Sequence, residues 1–182
     1  MPAGLVARVV HFHRGMKNTI AGLVLALSVA AVVGAAPSGP LSTYLVEPCR
    51  FLDTRDDVLL RGESVGPLGE GIHPYILQGA CGVPAGAQGV ILNVTATEAT
   101  VAGHLTLVAV PETAAPTHRM ATIVDSMVPT TSTINVAPGL TVGNAATVRL
   151  RENTTGQFDL MVYASVKGGT VHLIIDVVGY LK

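Results

Sequence analysis

Short runs of β-branched and apolar residues, separated by turns rich in glycine and proline, constrain the fold of this chain more than any other feature. The clearest run, Gly89–Thr97, alternates apolar and polar residues, which is typical of a half-buried strand. Its apolar face consists of Val90, Leu92, Val94 and Ala96. A segment of this kind needs a second layer of structure to cover that face.

Similar runs follow one another along the chain, and no long helical periodicity is present after residue 37. Strands at this spacing predict an all-β domain, an antiparallel β-sandwich or a barrel-like, jelly-roll-like arrangement. The other predicted strands are Tyr75–Leu77, His104–Val110, Ser132–Val136, Val142–Leu150, Phe158–Ala164 and Thr170–Val178.

The N-terminal stretch Met16–Ala36 has a lysine, an apolar run over Ile20–Val33 and then small residues. This layout is typical of a secretory signal peptide, and the apolar run is shorter than the roughly 20 residues of a membrane-spanning helix. We therefore predict a signal peptide over residues 1–36, with Met16 as the better start, and one domain over residues 37–182. A retained membrane anchor is the weaker alternative.

The charge balance of the predicted domain argues against nucleic acid as a partner. Removing the three basic residues of the leader from the eleven Lys and Arg leaves eight against twelve Asp and Glu, a net charge of −4. Phosphate binding needs clustered positive charge. Charged residues make up only 13% of the chain, against about 25% in typical domains. Low charge favours self-association, although Thr, Ser and Asn side chains solvating the exposed faces would explain it equally well.

The chain has two cysteines, Cys49 and Cys81. In an exported domain, a small even number of cysteines indicates a disulfide first, and this one would contribute roughly 3–4 kcal/mol on the loop-entropy model. A two-cysteine metal site is the rival, but the spacing lacks the close Cys and His pairs that zinc requires.

One segment, Glu112–Thr131, is long for a connection between strands. Its middle, Met120–Val128, fits an extra strand or a loop that lies over the sheet. Because long connections are uncommon unless they carry function or are disordered, we expect any specificity of the domain to lie here.

Six blocks of sequence occur in one order along the predicted domain: PCRFLDTR (48–55), GACGVPAGAQGVILNVTAT (79–97), GHLTLVAVP (103–111), STINVAPG (132–139), GNAATVRL (143–150) and VHLIIDVVGYL (171–181). Their order resembles a β-rich module found in many exported bacterial proteins. The resemblance covers nearly the whole predicted domain and implies no established activity, and the chain departs from the module in Glu112–Thr131. The resemblance also implies that both cysteines occupy the module's cysteine positions, which supports the disulfide.

Polar residues within these blocks are the candidates for a binding site. Asp53 and Arg55 share a face of an extended segment and could hold an anionic or sugar ligand, although satisfying each other and nearby backbone groups is the commoner role of such a pair. Asn93, Asn135 and Asn144 lie in or next to strands, where asparagine is depleted. We expect their amides to bond neighbouring loops.

His172 and Asp176 lie on one face of the last predicted strand, as half of a metal site would. His104, His118 or Glu98 could complete such a shell, but nothing in the sequence brings them together, so we expect no metal and no cofactor. Neither G-x-S-x-G nor H-E-x-x-H is present, and no lone cysteine is left as a nucleophile. We therefore do not expect an enzyme.

The sequence favours a secreted or cell-surface structural module that interacts with a protein partner or with itself. The last strand, Thr170–Leu181, carries no lysine or proline and would accept a partner strand if it lay at a sheet edge; a central position fits its apolar residues equally well. A carbohydrate-binding module is the alternative, weakened by the absence of Trp, and a secreted hydrolase is third. No membrane contact is expected after leader cleavage, and a glycan remains a possible ligand.

Overall fold

The computed structural model describes residues 39–56, 66–111, 130–151 and 157–182, together with the backbone of 58–59. The predicted signal peptide and most of Glu112–Thr131 lie outside these residues. Ten strands are present in the described part, in chain order β1 Thr43–Asp53, β2 Val58–Leu59, β3 Leu68–Gly69, β4 Gly71–Tyr75, β5 Gly89–Thr97, β6 Gly103–Ala109, β7 Ile134–Val136, β8 Val142–Arg149, β9 Leu160–Ser165 and β10 Thr170–Leu181.

The strands form two antiparallel sheets that pack face to face, so the predicted sandwich is confirmed. The larger sheet has the strand order β2-β1-β10-β5-β8, with β3 pairing one end of β10. The smaller sheet has the order β4-β9-β6-β7. Residues Gly39–Lys182 form one compact unit.

The core lies between the two sheets and contains the apolar face predicted for β5. Val90, Leu92, Val94 and Ala96 are all buried, at 0–1% exposure. Leu173, Ile175 and Val177 of β10 belong to the same cluster. Burying a side chain of this size contributes about 1.5–3 kcal/mol, so this alternation fixes which face of the larger sheet turns inward.

A second, smaller apolar cluster contains Val110, Phe158 and Met161, with Val108 packed against it. Along β6, Val108 lies on the face opposite to that of Leu105 and Leu107, which belong to the main core. Parts of both faces of the smaller sheet are therefore buried. For this reason its strands contain runs of apolar residues and do not alternate regularly between apolar and polar residues.

The position of β10 decides between the two alternatives that the sequence left open for the last strand. The last strand is central, because β1 pairs with it on one side and β5 on the other. Its backbone groups are used by both neighbours, and it offers no edge to a partner. The physical reason is its apolar content: Ile174, on the face opposite the main core, is only 7% exposed.

The predicted disulfide between Cys49 and Cys81 is confirmed, with a Cα–Cα distance of 5.5 Å. Cys49 lies in β1, and Cys81 lies in the turn region between β4 and β5. The bridge therefore fastens the first strand to the connection that precedes β5. Within the described residues, no helix is long and apolar enough to cross a bilayer.

Candidate functional site

The main polar cluster of the larger sheet is built around the carboxylate of Asp53, which is 1% exposed. Its Oδ2 accepts hydrogen bonds from Arg50 Nη1 at 2.7 Å and from Arg55 Nη2 at 2.8 Å. Its Oδ1 accepts from Arg55 Nε at 2.9 Å and from the Arg55 backbone N–H at 3.1 Å. We call Arg50, Asp53, Arg55 and Asp176 the arginine cluster.

Asp176 joins this cluster through Arg50, whose Nε donates to Asp176 Oδ1. Arg50 and Asp176 are register partners across β1 and β10. A register shift lies between Arg50 and Leu52, and such a bulge changes which side chains share a face. Arg50 and Asp53, three residues apart in a strand, are thereby brought to one face of the sheet, where they form an ion pair.

The two arginines of the arginine cluster stabilise the ionised form of the Asp53 carboxylate. The hydrogen bonds and charges of the two arginines, chiefly Arg55, lower the pKa of Asp53 to about 2. The guanidinium groups themselves stay in contact with water, with side chains 45% exposed for Arg50 and 40% for Arg55. A carboxylate held in this way fixes the β1–β10 junction and cannot serve as a general base near neutral pH.

His172 contacts the cluster's neighbour Thr54 and no carboxylate in the described contacts. Its Nδ1 lies 3.0 Å from Thr54 Oγ1, which also accepts the Leu173 N–H at 2.9 Å. The Thr54 proton can therefore point to His172 Nδ1. Thr54 is 1% exposed, so its hydroxyl is shielded from any substrate and ties the end of β1 to β10.

The three predicted asparagines lie in different places. Asn93 is the register partner of Asp176 on β5 and extends the polar row beside the arginine cluster. Asn144 donates from Nδ2 to the Thr133 carbonyl at 2.7 Å, joining β8 to the loop before β7. Asn135 belongs to the smaller sheet and accepts from Ser132 Oγ at 2.9 Å. The expected bonds to neighbouring loops are formed by Asn135 and Asn144.

The residues considered for a metal shell are not assembled. Among the described residues, no group of three His, Cys, Asp or Glu side chains is placed to hold an ion. His104 lies on β6 in the other sheet, and His118 lies outside the described residues. Glu98 follows β5 with a positive φ of 54°, and its charge acts on Arg55.

The sequence analysis missed a second buried carboxylate, Asp159, which is 0% exposed. Its Oδ1 accepts the backbone N–H of Leu77 at 2.8 Å, and Oδ2 accepts that of Gln78 at 2.7 Å. Burial raises the pKa of the Asp159 carboxyl to about 6. An aspartate directly before an apolar strand is a weak signal, since the sequence does not reveal which distant amides it meets.

Gln78 continues this network into the connection that carries the disulfide. Its Nε2 donates to the Arg151 carbonyl at 2.7 Å, and its Oε1 accepts the Gly86 N–H at 2.9 Å. Asp159 and Gln78 together therefore hold the 76–88 connection against β9 and the end of β8. Both the nitrogen and the oxygen of the buried Gln78 side-chain amide therefore have hydrogen-bond partners, as is usual for a buried polar group with a structural role.

Arg50 was missed as well, although it lies in the same block as Asp53 and Arg55. Its register partner Asp176 could be found only by knowing that β1 and β10 are neighbours. No family model, no curated protein and no solved structure matches the chain. The resemblance to a module of exported bacterial proteins stays a prediction.

Proposed function

We propose that this domain is a non-catalytic, secreted or cell-surface module that associates with further copies of itself through the open edge of β8. One observation carries the proposal: among the described strands, β8 pairs with β5 alone. This edge lies two strands away from β10, for which the sequence had left an edge and a central position equally open. An open edge is a template for another strand.

The hydrogen-bond phase of β8 identifies the residues that a partner would meet. Leu150 N–H donates to the Gln88 carbonyl at 2.9 Å, so this pair lies at a hydrogen-bonded position of the β5–β8 ladder. Backbone direction alternates along an antiparallel strand. The N–H and C=O groups of Gly143, Ala145 and Thr147 therefore face away from β5.

The side chains of this edge do little to oppose a partner. Residues 142–148 contain no charged residue and no proline, the devices that usually guard an exposed edge, and the single charged residue of β8 is Arg149 at its end. Gly143, Ala145 and Thr147 are all exposed. The low charge of the whole chain acts in the same direction, because little repulsion opposes association.

The two other functions considered for the chain have less support. The buried carboxylates are engaged, Asp53 by arginines and Asp159 by backbone amides, so neither is available for the paired-carboxylate chemistry of glycoside hydrolysis. Tyr44 and Tyr180 stack with ring centroids 4.9 Å apart. Each ring thereby uses one face on the other, which leaves less aromatic surface for a sugar.

A secreted location agrees with the disulfide between Cys49 and Cys81, since such bonds persist in oxidising compartments. The predicted leader and the resemblance to exported modules support the same location. N-terminal sequencing of the protein from its native host would detect cleavage near Ala35–Ala36. An intact N-terminus on a membrane-bound form would favour the anchor.

Sedimentation velocity of the full chain over a wide concentration range tests the proposed function. We expect the wild type to associate with rising concentration and Ala145→Lys to remain monomeric, because a charged lysine in an edge strand opposes the addition of another strand. Leu140→Lys is the matched control, since Leu140 is 55% exposed and lies outside the strands. A wild type that stays monomeric throughout, especially one that binds a glycan array, contradicts the proposal.

A further inference from the structure

The larger sheet has a second open edge on its opposite side, along the N-terminal half of β1. On one side, Thr43, Tyr44 and Leu45 pair with β10. On the other side, β2 reaches only Leu52 and Asp53. Among the described strands, none pairs with the outer side of Thr43–Pro48.

The backbone groups that this edge presents follow from one reciprocal contact. Ser42 and Lys182 exchange two backbone hydrogen bonds, at 2.8 and 3.0 Å. They therefore form a hydrogen-bonded pair, and Tyr44 two residues later also turns its backbone toward β10. The N–H and C=O groups of Thr43 and Leu45 face outward, in the same alternating phase as Ala145 and Thr147.

Exposed apolar side chains are concentrated at this edge. Four large hydrophobic residues of the described part are exposed, and three of them, Leu41, Tyr44 and Leu45, lie within five positions. Leu45 is 80% exposed. The segment Leu41–Val46, LSTYLV, has high β propensity, no charge, no proline and no glycine, a composition that favours intermolecular strand pairing.

We infer that the strand which β8 receives is this Leu41–Val46 edge of the next copy, so that copies add head to tail into an open-ended row. The inference rests on the proposed self-association at β8 and identifies the strand of the neighbouring copy that pairs with β8. Neighbouring strands in the path β1-β10-β5-β8 are antiparallel, so β1 and β8 run in opposite directions. A translated copy can therefore continue the sheet with another antiparallel pair.

The sizes of the side chains favour this pairing over two β8 strands facing each other. Three outward positions of β8, Gly143, Ala145 and Thr147, carry small side chains, whereas Leu45 is large and exposed. Pairing Leu45 with Ala145 and Thr43 with Thr147 satisfies the antiparallel phase and leaves all four side chains on the outer face of the larger sheet. Pairing β8 with β8 would set small residues against small ones and leave Leu45 in water. An interface that joins two different patches leaves one patch free at each end of the assembly, so copies related by translation add into an open row.

A complementation experiment separates these arrangements. Leu45→Lys blocks the β1 edge, Ala145→Lys blocks the β8 edge, and each leaves the other edge intact. We expect each full-length variant to be monomeric at concentrations where the wild type forms long rows. Mixed together, they should form a 1:1 heterodimer and nothing larger, because only one competent pair of edges remains. Circular dichroism and thermal unfolding check that both variants are folded.

The other outcomes are equally distinct. If Leu45→Lys still forms a dimer alone, β8 pairs with β8, and the inference fails while the proposed function stands. If the wild type is monomeric at every concentration, both fail. If both variants assemble like the wild type, association uses another surface, and the edge interpretation is wrong at both strands.

Hydrogen exchange gives an independent measurement at single residues. In assembled wild-type protein, the amides of Thr43, Leu45, Ala145 and Thr147 should exchange at least about tenfold more slowly than in monomer. The amides of Tyr44 and Ala146 already face strands within the domain and are the internal reference. Slowing of the β8 amides without the β1 amides would overturn the head-to-tail arrangement.

Discussion

Asp53 and Asp159 are both almost completely shielded from solvent, at 1% and 0% exposure, yet their pKa values are displaced in opposite directions. Asp53 meets two guanidinium groups that remain partly hydrated, and the Arg55 hydrogen bonds dominate. Asp159 is bound by the Leu77 and Gln78 amides, and desolvation dominates. Burial alone therefore does not determine the charge of a carboxyl group; the partners decide.

The contrast also separates two structural tasks. The arginine cluster joins strands within the larger sheet, where Arg50 on β1 contacts Asp176 on β10. Asp159 lies directly before β9 of the smaller sheet and fixes an irregular connection, whose amides cannot be satisfied by strand pairing. Replacing each aspartate should reveal this difference, because an unpaired buried amide cannot recover a partner, whereas an exposed guanidinium can turn to water.

The largest effect is expected from Asp159→Ala. The substitution leaves the buried N–H groups of Leu77 and Gln78 without an acceptor, and each unsatisfied donor costs about 1–3 kcal/mol. We expect the free energy of unfolding, measured by urea titration at pH 5, to fall by about 2–5 kcal/mol. Asp159→Asn, which keeps one acceptor oxygen, should lose less. Equal losses in the two variants would show that the amide contacts are not the cause.

The pH dependence of stability should differ in sign at the two sites. The pKa of Asp159 is raised to about 6 in the folded state, so its contribution is fully present below about pH 4 and is lost as the pH rises through 6. The loss should be about 2–3 kcal/mol. The pKa of Asp53 is lowered to about 2, so its contribution is present above about pH 4 and is lost as the pH falls toward 2.

Unfolding free energies of the wild type, Asp159→Asn and Asp53→Asn between pH 2.5 and 7.5 measure these slopes. Relative to the wild type, Asp159→Asn should gain stability between pH 4 and 7. Asp53→Asn should change its difference from the wild type only below pH 4. Slopes of the same sign in both variants would contradict the opposite environments of the two carboxylates.

Part of the fold could be predicted from the sequence. The alternation in Gly89–Thr97 predicted β5 at its observed bounds, because a two-residue period encodes which face is buried. The disulfide between Cys49 and Cys81 was predicted because the chain has two cysteines and a predicted secretory leader. The sequence indicated an extended segment around Cys49 and Asp53 but not the bounds of β1, since its first residues are exposed and its pattern is interrupted by register shifts.

The polar sites were harder to predict because their partners are distant in the chain. Asp53 and Arg55 were found as neighbours in sequence, but Arg50 and Asp176 are 126 residues apart, and Asp159 meets amides 81 and 82 residues away. Strand order decides these contacts, and local pattern carries little of that information. For the same reason the sequence left open whether the last strand is an edge or a central strand, and the order of the described strands leaves the larger sheet open at β8 and along the first half of β1.

The smallest expected effect tests whether the arginine cluster acts through charge. Because Arg50 and Arg55 are partly exposed, salt should screen their attraction to Asp53, whereas Asp159 has only neutral amides as hydrogen-bond partners among the contacts described. Raising the salt concentration from 0.05 to 1 M at pH 7 should reduce the stability difference between wild type and Asp53→Asn by about 0.5 kcal/mol. The difference between wild type and Asp159→Asn should remain the same. The salt should be a chloride and not a sulfate, because sulfate stabilises folded proteins generally by strengthening the burial of apolar surface. If salt changes both differences equally, the contrast between the two carboxylates reflects solvation alone, and the guanidinium charges have no separate role.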